Sequence, residues 1–482
     1  MAACPNEAEA EEDRQRDFGK MSPATTVVEA LIPTTMKRQD FIKTTAAAAF
    51  GFQFIPHRVL GDGVTTPPSR KINLAAIGCG GQAAGDLSNM EGENIVALCD
   101  VDERSAAGMF NKYPQAKRYQ DFRVMLEEMG DKIDAVLVGT PDHTHAVAAM
   151  AAMKHGKHVF CEKPLAHTVA EARAMRKEAN DRKLITQMGN QGHSSESIRI
   201  FREWIEDGAI GKVSEIHCGC DAFKDVYCQT RNIAKVRTEH PDIPKELAWN
   251  LWLGPVKERP YNPAYLPFNW RGWSQFGGGC IGDWVCHVVD PSFWALDLDM
   301  PTSILAETEG YDPEKDSESY PAGTKITYEF PAKGARGPVK LLWFDGNRTI
   351  PRPSELPEGR NVVGTGAVVI GDKGKIMHGS HGAGEVRIIP EAAMQAYKRP
   401  GKSLPRVKAG HYRDWLDAIR EGRQASSPFE YGARLSEVGL LGIIAIRMSG
   451  QKLLYDEKAM RFTNNDAANQ FLSPQFRDGW KL

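Results

Sequence analysis

The sequence predicts an α/β protein with a doubly wound parallel sheet in its N-terminal part and a second α/β domain, with an open, mainly antiparallel sheet, in its C-terminal part. Three observations support this fold class. Short apolar runs alternate with helix-compatible segments between about residues 71 and 190, which is typical of a parallel sheet. A glycine-rich turn follows the first of these runs. After residue 191, several segments instead alternate apolar and polar residues, as half-exposed antiparallel strands do.

Length and composition favour a large globular protein. The chain has 482 residues, of which 41% are hydrophobic and 25% charged, enough for two domains and extensions. A net charge of −2 provides no general attraction for nucleic acid or an anionic membrane. Cys218 and Cys220 would share one face of a strand, and Cys228 follows, so a disulfide or a metal site there is an alternative. Ordinary buried thiols are the expectation.

The first 70 residues precede the predicted domains. Residues 1–35, which include an acidic cluster, are expected to be a disordered extension. Residues 36–70 are interpreted as a signal-like segment and a linker, because a basic stretch precedes a short apolar one. This segment resembles a twin-arginine signal in which Gln39 replaces the second arginine. It predicts a periplasmic protein exported in the folded state; if the segment is only an alanine-rich surface helix, the protein is cytoplasmic.

The first predicted domain, residues 71–190, opens with a dinucleotide-binding motif. The apolar run at residues 72–77 is followed by Gly78-Cys79-Gly80-Gly81-Gln82-Ala83, then a helix-compatible stretch and a second apolar run. Asp100 ends that run, about 20 residues after Gly78. This arrangement is the G-x-G-x-x-A fingerprint of a Rossmann domain.

Each residue of this fingerprint has a physical role. Gly78 permits the tight turn, Gly80 lets the backbone approach a pyrophosphate, and Ala83 allows the helix to pack closely on the strand. The helix N-terminus provides free N–H donors for phosphate. Asp100 is expected to accept hydrogen bonds from ribose hydroxyls and to repel a 2′-phosphate, which favours NAD; Arg104 nearby leaves NADP open.

Two further strand ends of the first domain carry polar residues. Residues 135–140 and 158–161 are predicted strands, a helix is predicted at residues 146–155, and Thr168 begins a capping box. The two strands lead into Thr140-Pro141-Asp142-His143-Thr144-His145 and into Cys161-Glu162-Lys163-Pro164. Ligands of such sheets bind at the carboxyl ends of the strands, so these residues are candidates for the site.

The second predicted domain covers residues 191–482. Helices are predicted at residues 198–208, 411–421 and 434–449. Strands are predicted at residues 213–223, 325–330, 339–344, 367–370 and 385–389. A loop-rich section with many aromatic residues extends to residue 276. Such long loops frequently carry binding residues.

The chemical groups of the second domain are concentrated at residues 282–290. If this segment is helical, Asp283 and His287 lie one turn apart, a spacing suited to general acid–base catalysis in which the Asp fixes the imidazole tautomer. A capping Asp and a buried core His are the alternative. A metal held by Cys280, Asp283, Cys286 and His287 is disfavoured by the crowded glycine loop. Lys163 is the second catalytic candidate, although a lone lysine before a proline is commonly a surface residue.

The ordered motifs together resemble the Gfo/Idh/MocA oxidoreductases, which include glucose–fructose oxidoreductase and inositol dehydrogenase. The resemblance covers about residues 71–482, and residues 249–255 and 462–465 look like the exported sugar-acting branch. It implies that Lys163 contacts the reacting hydroxyl and the cofactor, that His287 is the general base and that Asp283 orients the substrate. The fingerprint and the resemblance together assign cofactor contacts to Gly78, Gly80, Gly81, Gln82, Ala83, Asp100, Thr140, Pro141, Asp142, His143, His145, Glu162, Lys163, Trp270 and Arg271.

The predicted function is an NAD-dependent oxidoreductase acting on a secondary hydroxyl or keto group of a sugar, glycoside or polyol. If the protein is exported, free NAD is scarce, so a tightly held and internally recycled cofactor is expected. The resemblance also implies a homodimer or homotetramer. No nucleic acid partner is expected from the net charge, and no membrane insertion is expected because the apolar segment after residue 43 is too short to span a bilayer. Two alternatives are an NAD-dependent glycoside hydrolase working through transient oxidation and a non-catalytic sugar-binding protein. The intact Glu162-Lys163-Pro164 motif disfavours the first alternative.

Overall fold

A computed structural model of the chain describes residues 70–482. The predicted extension at residues 1–35 lies outside the described residues, as does the predicted signal-like segment up to residue 69. Between residues 70 and 482, no helix is both long and apolar enough to cross a membrane.

The N-terminal domain is a six-stranded parallel sheet with the strand order β3-β2-β1-β4-β5-β6. Its strands are β1 (Asn73–Ile77), β2 (Asn94–Cys99), β3 (Lys117–Tyr119), β4 (Ala135–Val138), β5 (His158–Cys161) and β6 (Thr186–Met188). The helices between them are α1 (Gly81–Ser88), α2 (Glu103–Lys112), α3 (Phe122–Met129), α4 (Asp142–Lys154) and α5 (Val169–Asp181). This order is that of a Rossmann fold, with its crevice outside the carboxyl ends of β1 and β4.

Strand burial explains which of these elements the sequence reveals. All four residues of β4 are buried, because helices cover both faces of a parallel sheet, and β5 has the predicted bounds. The edge strand β3 consists of Lys, Arg and Tyr and carries no apolar signal. Helix α4 begins at Asp142, four residues before the predicted start, because Pro141 takes an extended conformation at the N-cap and Asp142 supplies an acid to the first turn.

The second domain is a nine-stranded sheet with the order β13-β12-β11-β7-β10-β9-β8-β14-β15. Its strands are β7 (Val213–Cys220), β8 (Ser303–Glu309), β9 (Gly323–Phe330), β10 (Val339–Gly346), β11 (Gly366–Gly371), β12 (Lys375–Gly379), β13 (Arg387–Ile389), β14 (Leu453–Asp456) and β15 (Arg461–Phe462). Only β7 and β10 pair in parallel. The predicted fold class, a Rossmann sheet followed by a mainly antiparallel sheet, is therefore confirmed.

Most helices of the second domain are short; the four longer ones are Glu196–Glu206, Gly279–Val288, His411–Glu421 and Phe429–Arg447. They are α6 (Glu196–Glu206), α7 (Lys224–Tyr227), α8 (Ile233–Thr238), α9 (Trp249–Leu253), α10 (Gly279–Val288), α11 (Asp290–Ala295), α12 (Ser380–Ala383), α13 (Glu391–Ala396), α14 (His411–Glu421), α15 (Phe429–Arg447) and α16 (Asp466–Asn469). Short 3-10 turns lie at Gly130–Lys132, Gln191–Ser194, Thr230–Asn232, Pro263–Tyr265 and Asn269–Gly272. Helix α14 has the predicted bounds.

The chain returns to the first domain late in the sequence. Trp415 and Leu416 of α14 are buried in the same apolar cluster as Leu74 and Leu137 of the parallel sheet. The indole nitrogen of Trp415 donates to the carbonyl oxygen of Ile185, at 3.2 Å. Helix α14 of the second domain therefore packs against the parallel sheet of the first, a contact that its position in the sequence does not reveal.

Candidate active site

A cavity of about 640 Å³ opens at the carboxyl ends of β1, β2, β4 and β5. Both domains line it. Residues of the first domain that line it include the glycine loop, Asp100, Thr140 and Lys163. The second domain contributes α10 and the loop that contains Trp270 and Arg271. Among the predicted cofactor contacts, the side chains of Ala83 and His143 are outside the lining of this cavity.

The glycine loop has little room for side chains. Gly78 has φ +83°, and a Cβ there would lie 2.7 Å from the carbonyl oxygen of Gly139. A Cβ on Gly80 would lie 1.9 Å from Oγ of Ser105. Ala83 packs closely against Gly139, since a Cβ added at Gly139 would lie 2.5 Å from the Cβ of Ala83. The loop is thus shaped to bring backbone, not side chains, to the cavity.

The N-terminus of α1 is free to bind an anion. Its N-cap, Gly80, has an extended conformation and no side chain to occupy the first N–H groups. Gly81, with φ +52°, has no atom within 4 Å of the position of a Cβ, so this side of the helix start is open. Free amide donors at a helix start fit a pyrophosphate. The residues present therefore suit a dinucleotide.

The side chain of Asp100 stabilises the glycine loop through hydrogen bonds. Its carboxylate accepts the backbone N–H groups of Cys79, at 2.8 Å, and Asp102, at 2.9 Å. Burial raises the pKa of Asp100. Each carboxylate oxygen can accept a further bond, so capacity for ribose hydroxyls remains. The guanidinium of Arg104 donates to Asp102 at 2.8 and 2.9 Å, so that charge is already paired beside the cavity.

Lys163 and Asp283 form an ion pair at the opposite end of the cavity. Nζ of Lys163 contacts Oδ1 of Asp283 and also donates to its backbone carbonyl at 3.2 Å. Oδ2 of Asp283 accepts the hydroxyl of Tyr227 at 2.6 Å and lies 3.2 Å from Nε of Arg271. Asp283 thus holds the lysine, the tyrosine and the arginine together. The spacing had paired it with the imidazole of His287, but in the described structure its oxygens contact these three groups.

The ionisation of this pair follows from its surroundings. Burial opposes the charge on Lys163, but Asp283 and Glu162 outweigh it and raise the pKa of the ammonium. Burial likewise opposes charge on Asp283, and Lys163 and Arg271 overcome it, so that the pKa of this carboxyl is lowered. Lys163 is therefore a permanent cation at neutral pH and can donate to an oxygen, but it cannot take a proton from one.

His287 lines the same cavity but, unlike Lys163, it is uncharged at neutral pH. It lies one turn after Asp283 on α10, as predicted, and is 5% exposed. Burial, together with the nearby Lys163 and His381, lowers its pKa well below 6.5. Its Nδ1 has no hydrogen-bond partner among residues 70–482. The imidazole is therefore neutral at neutral pH and has a ring nitrogen free to accept a proton, which a general base requires.

His381 was not anticipated from the sequence. Its imidazole stacks on that of His287 with ring centroids 4.1 Å apart. The backbone of His381 is left-handed (φ 53°, ψ 53°), and the following Gly382 accepts hydroxyl hydrogen bonds from Ser195, at 3.0 Å, and Ser197, at 2.7 Å. A left-handed non-glycine residue stores strain. No local sequence pattern marks it, because the partner ring lies about 90 residues earlier in the chain.

The histidines after β4 connect parts of the site. His145 lies between the carbonyl oxygens of Thr140, at 2.7 Å, and Pro164, at 2.8 Å, so it joins the two strand ends. Burial lowers its pKa to about 4. His143 lies between the carbonyl oxygens of Trp252, at 2.9 Å, and Phe276, at 3.3 Å, away from the cavity. The structure gives His143 contacts to the second domain.

Asp142 and Trp270 also line the cavity. Asp142 accepts the N–H of Gly278 at 3.1 Å, which connects β4 with the loop before α10. Burial and the nearby Asp283 raise its pKa to about 7. The guanidinium of Arg271 lies 4.2 Å above the ring of Trp270, so the predicted Trp–Arg pair is held together at the cavity wall.

Comparison with protein families adds independent information. An oxidoreductase family described as an NAD-binding Rossmann fold, Gfo/Idh/MocA, matches residues 72–190, and its C-terminal α/β domain matches residues 201–342. Together these matches cover more than half of the chain. The chain belongs to the Gfo/Idh/MocA family of oxidoreductases. This confirms the resemblance at the level of the family.

Curated relatives of this family member match over part of their length. Levoglucosan dehydrogenase of Pseudarthrobacter phenanthrenivorans is 24% identical over 51% of this chain and 52% of its own. Inositol 2-dehydrogenase of Burkholderia multivorans is 32% identical over 30% of this chain and 45% of its own. The chain thus spans about half the length of these relatives.

Solved structures share the whole two-domain architecture. An inositol dehydrogenase homologue of Azotobacter vinelandii, complexed with NADH and myo-inositol, has a TM-score of 0.52 at 17% identity, covering 80% of this chain and 98% of that one. An aldose-aldose oxidoreductase of Caulobacter crescentus has a TM-score of 0.51 at 17% identity, covering 80% and 100%. At this identity the likeness concerns the fold.

Proposed function

We propose that the protein is an NAD-dependent oxidoreductase that interconverts a secondary hydroxyl and a keto group on a sugar, glycoside or polyol. One observation carries the proposal: the ion pair of Lys163 and Asp283 lies in the same cavity as the neutral His287 and the glycine loop. A cation that cannot take a proton and a base that can are thus placed together at the far end of a dinucleotide cradle. The names of the relatives, which include inositol and levoglucosan dehydrogenases, support the substrate class.

The glycine loop, the start of α1 and Asp100 hold the dinucleotide in this proposal. When bound, the nicotinamide provides the acceptor for the hydride of the carbinol carbon. The carboxylates of Asp100 and Asp102, with Arg104 already paired to Asp102, favour a ribose without a 2′-phosphate. NAD is therefore the cofactor that this end of the cavity suits.

The chain's own residues manage the proton and the oxygen. His287 takes the hydroxyl proton, because its lowered pKa keeps the imidazole neutral at neutral pH. Nζ of Lys163 donates to the oxygen while negative charge develops on it, and Asp283 holds the lysine in position. Tyr227 donates to Asp283 and limits the movement of that carboxylate. The balanced result is one ketone and one proton for each hydride transferred.

Three further features belong to the proposal and rest on sequence. The segment at residues 36–52 supports export to the periplasm, and export favours a cofactor that is retained and recycled in one site. Homodimer or homotetramer formation through the open sheet is implied by the family. Cell fractionation of an Arg38→Lys variant, which removes the remaining arginine of the pair, tests the export signal: we expect the protein to move to the cytoplasmic fraction, and an unchanged periplasmic fraction would refute export through this segment.

A product-resolved assay tests the catalytic proposal. The purified protein is incubated with NAD and a panel of sugars, polyols and glycosides, and both reduced-nicotinamide absorbance and products are followed. A sugar oxidoreductase forms a keto sugar with equimolar reduced nicotinamide, or transfers hydride between two sugars. We expect Lys163→Ala to lower kcat on the order of a thousandfold, because the developing alkoxide loses its cation.

The alternatives predict other outcomes. A glycoside hydrolase would release a free sugar with no net change in reduced nicotinamide. A sugar-binding protein would bind members of the panel without forming a product. Unchanged turnover in Lys163→Ala, with Lys154→Ala as the surface control, would refute the role assigned to Lys163.

A further inference from the structure

Two aromatic side chains are exposed at the mouth of the cavity. Phe223 is 52% exposed and Phe268 is 38% exposed, and both line the cavity. Their ring centroids lie 5.5 Å apart with an interplanar angle of 67°. They form one apolar patch, which we term the aromatic mouth. Exposed aromatic patches are costly in water and mark ligand-binding grooves.

The backbone holds one member of the aromatic mouth in an unfavourable conformation. Phe223 has φ 51° and ψ 34°, in the left-handed region, immediately before α7. This conformation costs a non-glycine residue about 1–2 kcal/mol. The residue remains 52% exposed, so burial offsets this cost only in part. Strain and exposure at one residue that faces a cavity indicate a ligand contact.

The aromatic mouth is connected to the reaction end of the cavity. The ring of Phe223 lies 6.4 Å from that of Trp284, which lies 5.7 Å from the imidazole of His287. The ring of Phe268 lies 4.1 Å from the guanidinium of Arg271, which contacts Asp283. The patch is therefore connected through Trp284 to His287 and through Arg271 to Asp283, at the end of the cavity where the proposed function places the reaction.

We propose that the aromatic mouth is a stacking subsite for a second sugar ring, so that the substrate is a disaccharide or other glycoside rather than a free monosaccharide or polyol. This inference rests on the proposed function. The faces of a pyranose ring present C–H groups with weakly positive hydrogens, which complement the negative face of an aromatic ring. The reacting ring lies at Lys163 and His287, and the linked ring lies against Phe223 and Phe268 without any charged partner being required.

The test compares sugars that differ only in the second ring. The kcat/KM values for glucose and galactose are compared with those for maltose, cellobiose and melibiose, with NAD or a keto-sugar acceptor present. We expect at least one disaccharide to be preferred over its monosaccharide. Phe223→Ala should lower kcat/KM for that disaccharide about fivefold more than for the monosaccharide, as the loss of an aromatic contact implies.

Matched variants separate stacking from general effects. Phe223→Leu keeps an apolar side chain but removes the ring face, so it should behave like Phe223→Ala; Phe223→Trp should retain the preference. Phe268→Ala should act in the same direction. Leu454→Ala, which removes a side chain that is 42% exposed on β14 and outside the cavity, is the control. An equal loss for monosaccharide and disaccharide overturns the inference.

Failure of this inference is distinguishable from failure of the proposed function. Turnover of monosaccharides with no disaccharide preference retains the function and refutes the subsite. If no sugar is turned over, calorimetry of maltose, cellobiose and melibiose with the NADH-loaded protein decides: binding that Phe223→Ala weakens supports the subsite, and no binding refutes it. A change of oligomeric state in Phe223→Ala, with unchanged sugar selectivity, would instead assign the patch to contact with a second copy.

Discussion

The two ends of the cavity are built on different physical principles. The cofactor end consists mainly of backbone groups from a short stretch of chain, supported by the Asp100 carboxylate, and it requires the absence of side chains at Gly78 and Gly80. The reaction end consists of charged and aromatic side chains from distant segments, with Lys163 and Asp283 separated by 120 residues. Shape therefore governs the first end and charge the second, which predicts that substitutions at the two ends fail in different ways.

The largest expected effect is the loss of charge at the reaction end. Asp283→Asn removes the carboxylate that contacts the Lys163 ammonium and leaves Glu162 alone to offset the burial of that cation. We expect kcat to fall on the order of a thousandfold, while the affinity for NAD changes only a few fold. Steady-state kinetics and NADH fluorescence titration measure the two quantities separately.

The control for this variant lies on the same helix. Cys286→Ser changes a buried side chain of α10 that contacts Ser436 and carries no charge in the ion pair. It should reduce stability more than turnover. If Asp283→Asn weakens NAD affinity as strongly as it lowers kcat, the two ends are not independent, and the comparison fails.

The second largest effect concerns shape at the cofactor end. Gly78→Ala places a Cβ 2.7 Å from the carbonyl oxygen of Gly139 in a left-handed conformation. The turn must move, so we expect NAD affinity to fall about a hundredfold and stability by about 2 kcal/mol. Titration with NADH and thermal unfolding measure these changes. Substrate selectivity of the residual activity should be unaltered.

A second glycine provides the matched control. Gly85, in the middle of α1, has no atom within 4 Å of the position of a Cβ. Gly85→Ala should therefore be neutral or stabilise the protein by about 0.5 kcal/mol, since alanine favours a helix. Equal effects of the two substitutions would show that the cradle does not depend on close backbone approach.

The same contrast explains what the sequence could predict. The fingerprint from Gly78 to Asp100 is local, and the parallel sheet follows from buried apolar runs, so the Rossmann domain was predictable together with strand β5. Asp283 and His287 were found from helical spacing. Their contacts were not predicted. The carboxylate of Asp283 contacts Lys163 and Tyr227, and no helical periodicity relates these residues to it.

The sequence also did not predict the strained backbone conformations. The left-handed backbone of His381 and of Phe223 occurs at residues that usually avoid it, and only tertiary contacts maintain such conformations. Helix α14 is a second case: its bounds were predicted, but its packing against the parallel sheet was not. Local sequence patterns predicted single helices, strands and motifs. The contacts at the reaction end join distant segments and are visible only in the assembled fold.

The smallest expected effect concerns the pKa of His287, the general base of the proposal. His381→Phe keeps an aromatic ring on His287 but removes a titratable neighbour that lowers the pKa of that imidazole. The pKa of His287 should therefore rise. A base acts only when deprotonated, and activity is lost as pH falls through its pKa, so the acid limb of the kcat/KM profile should move to higher pH. His155→Phe, an exposed residue after α4, is the control and should leave the limb in place. An acid limb that stays fixed or moves to lower pH in His381→Phe would show that burial and Lys163 alone determine the state of His287.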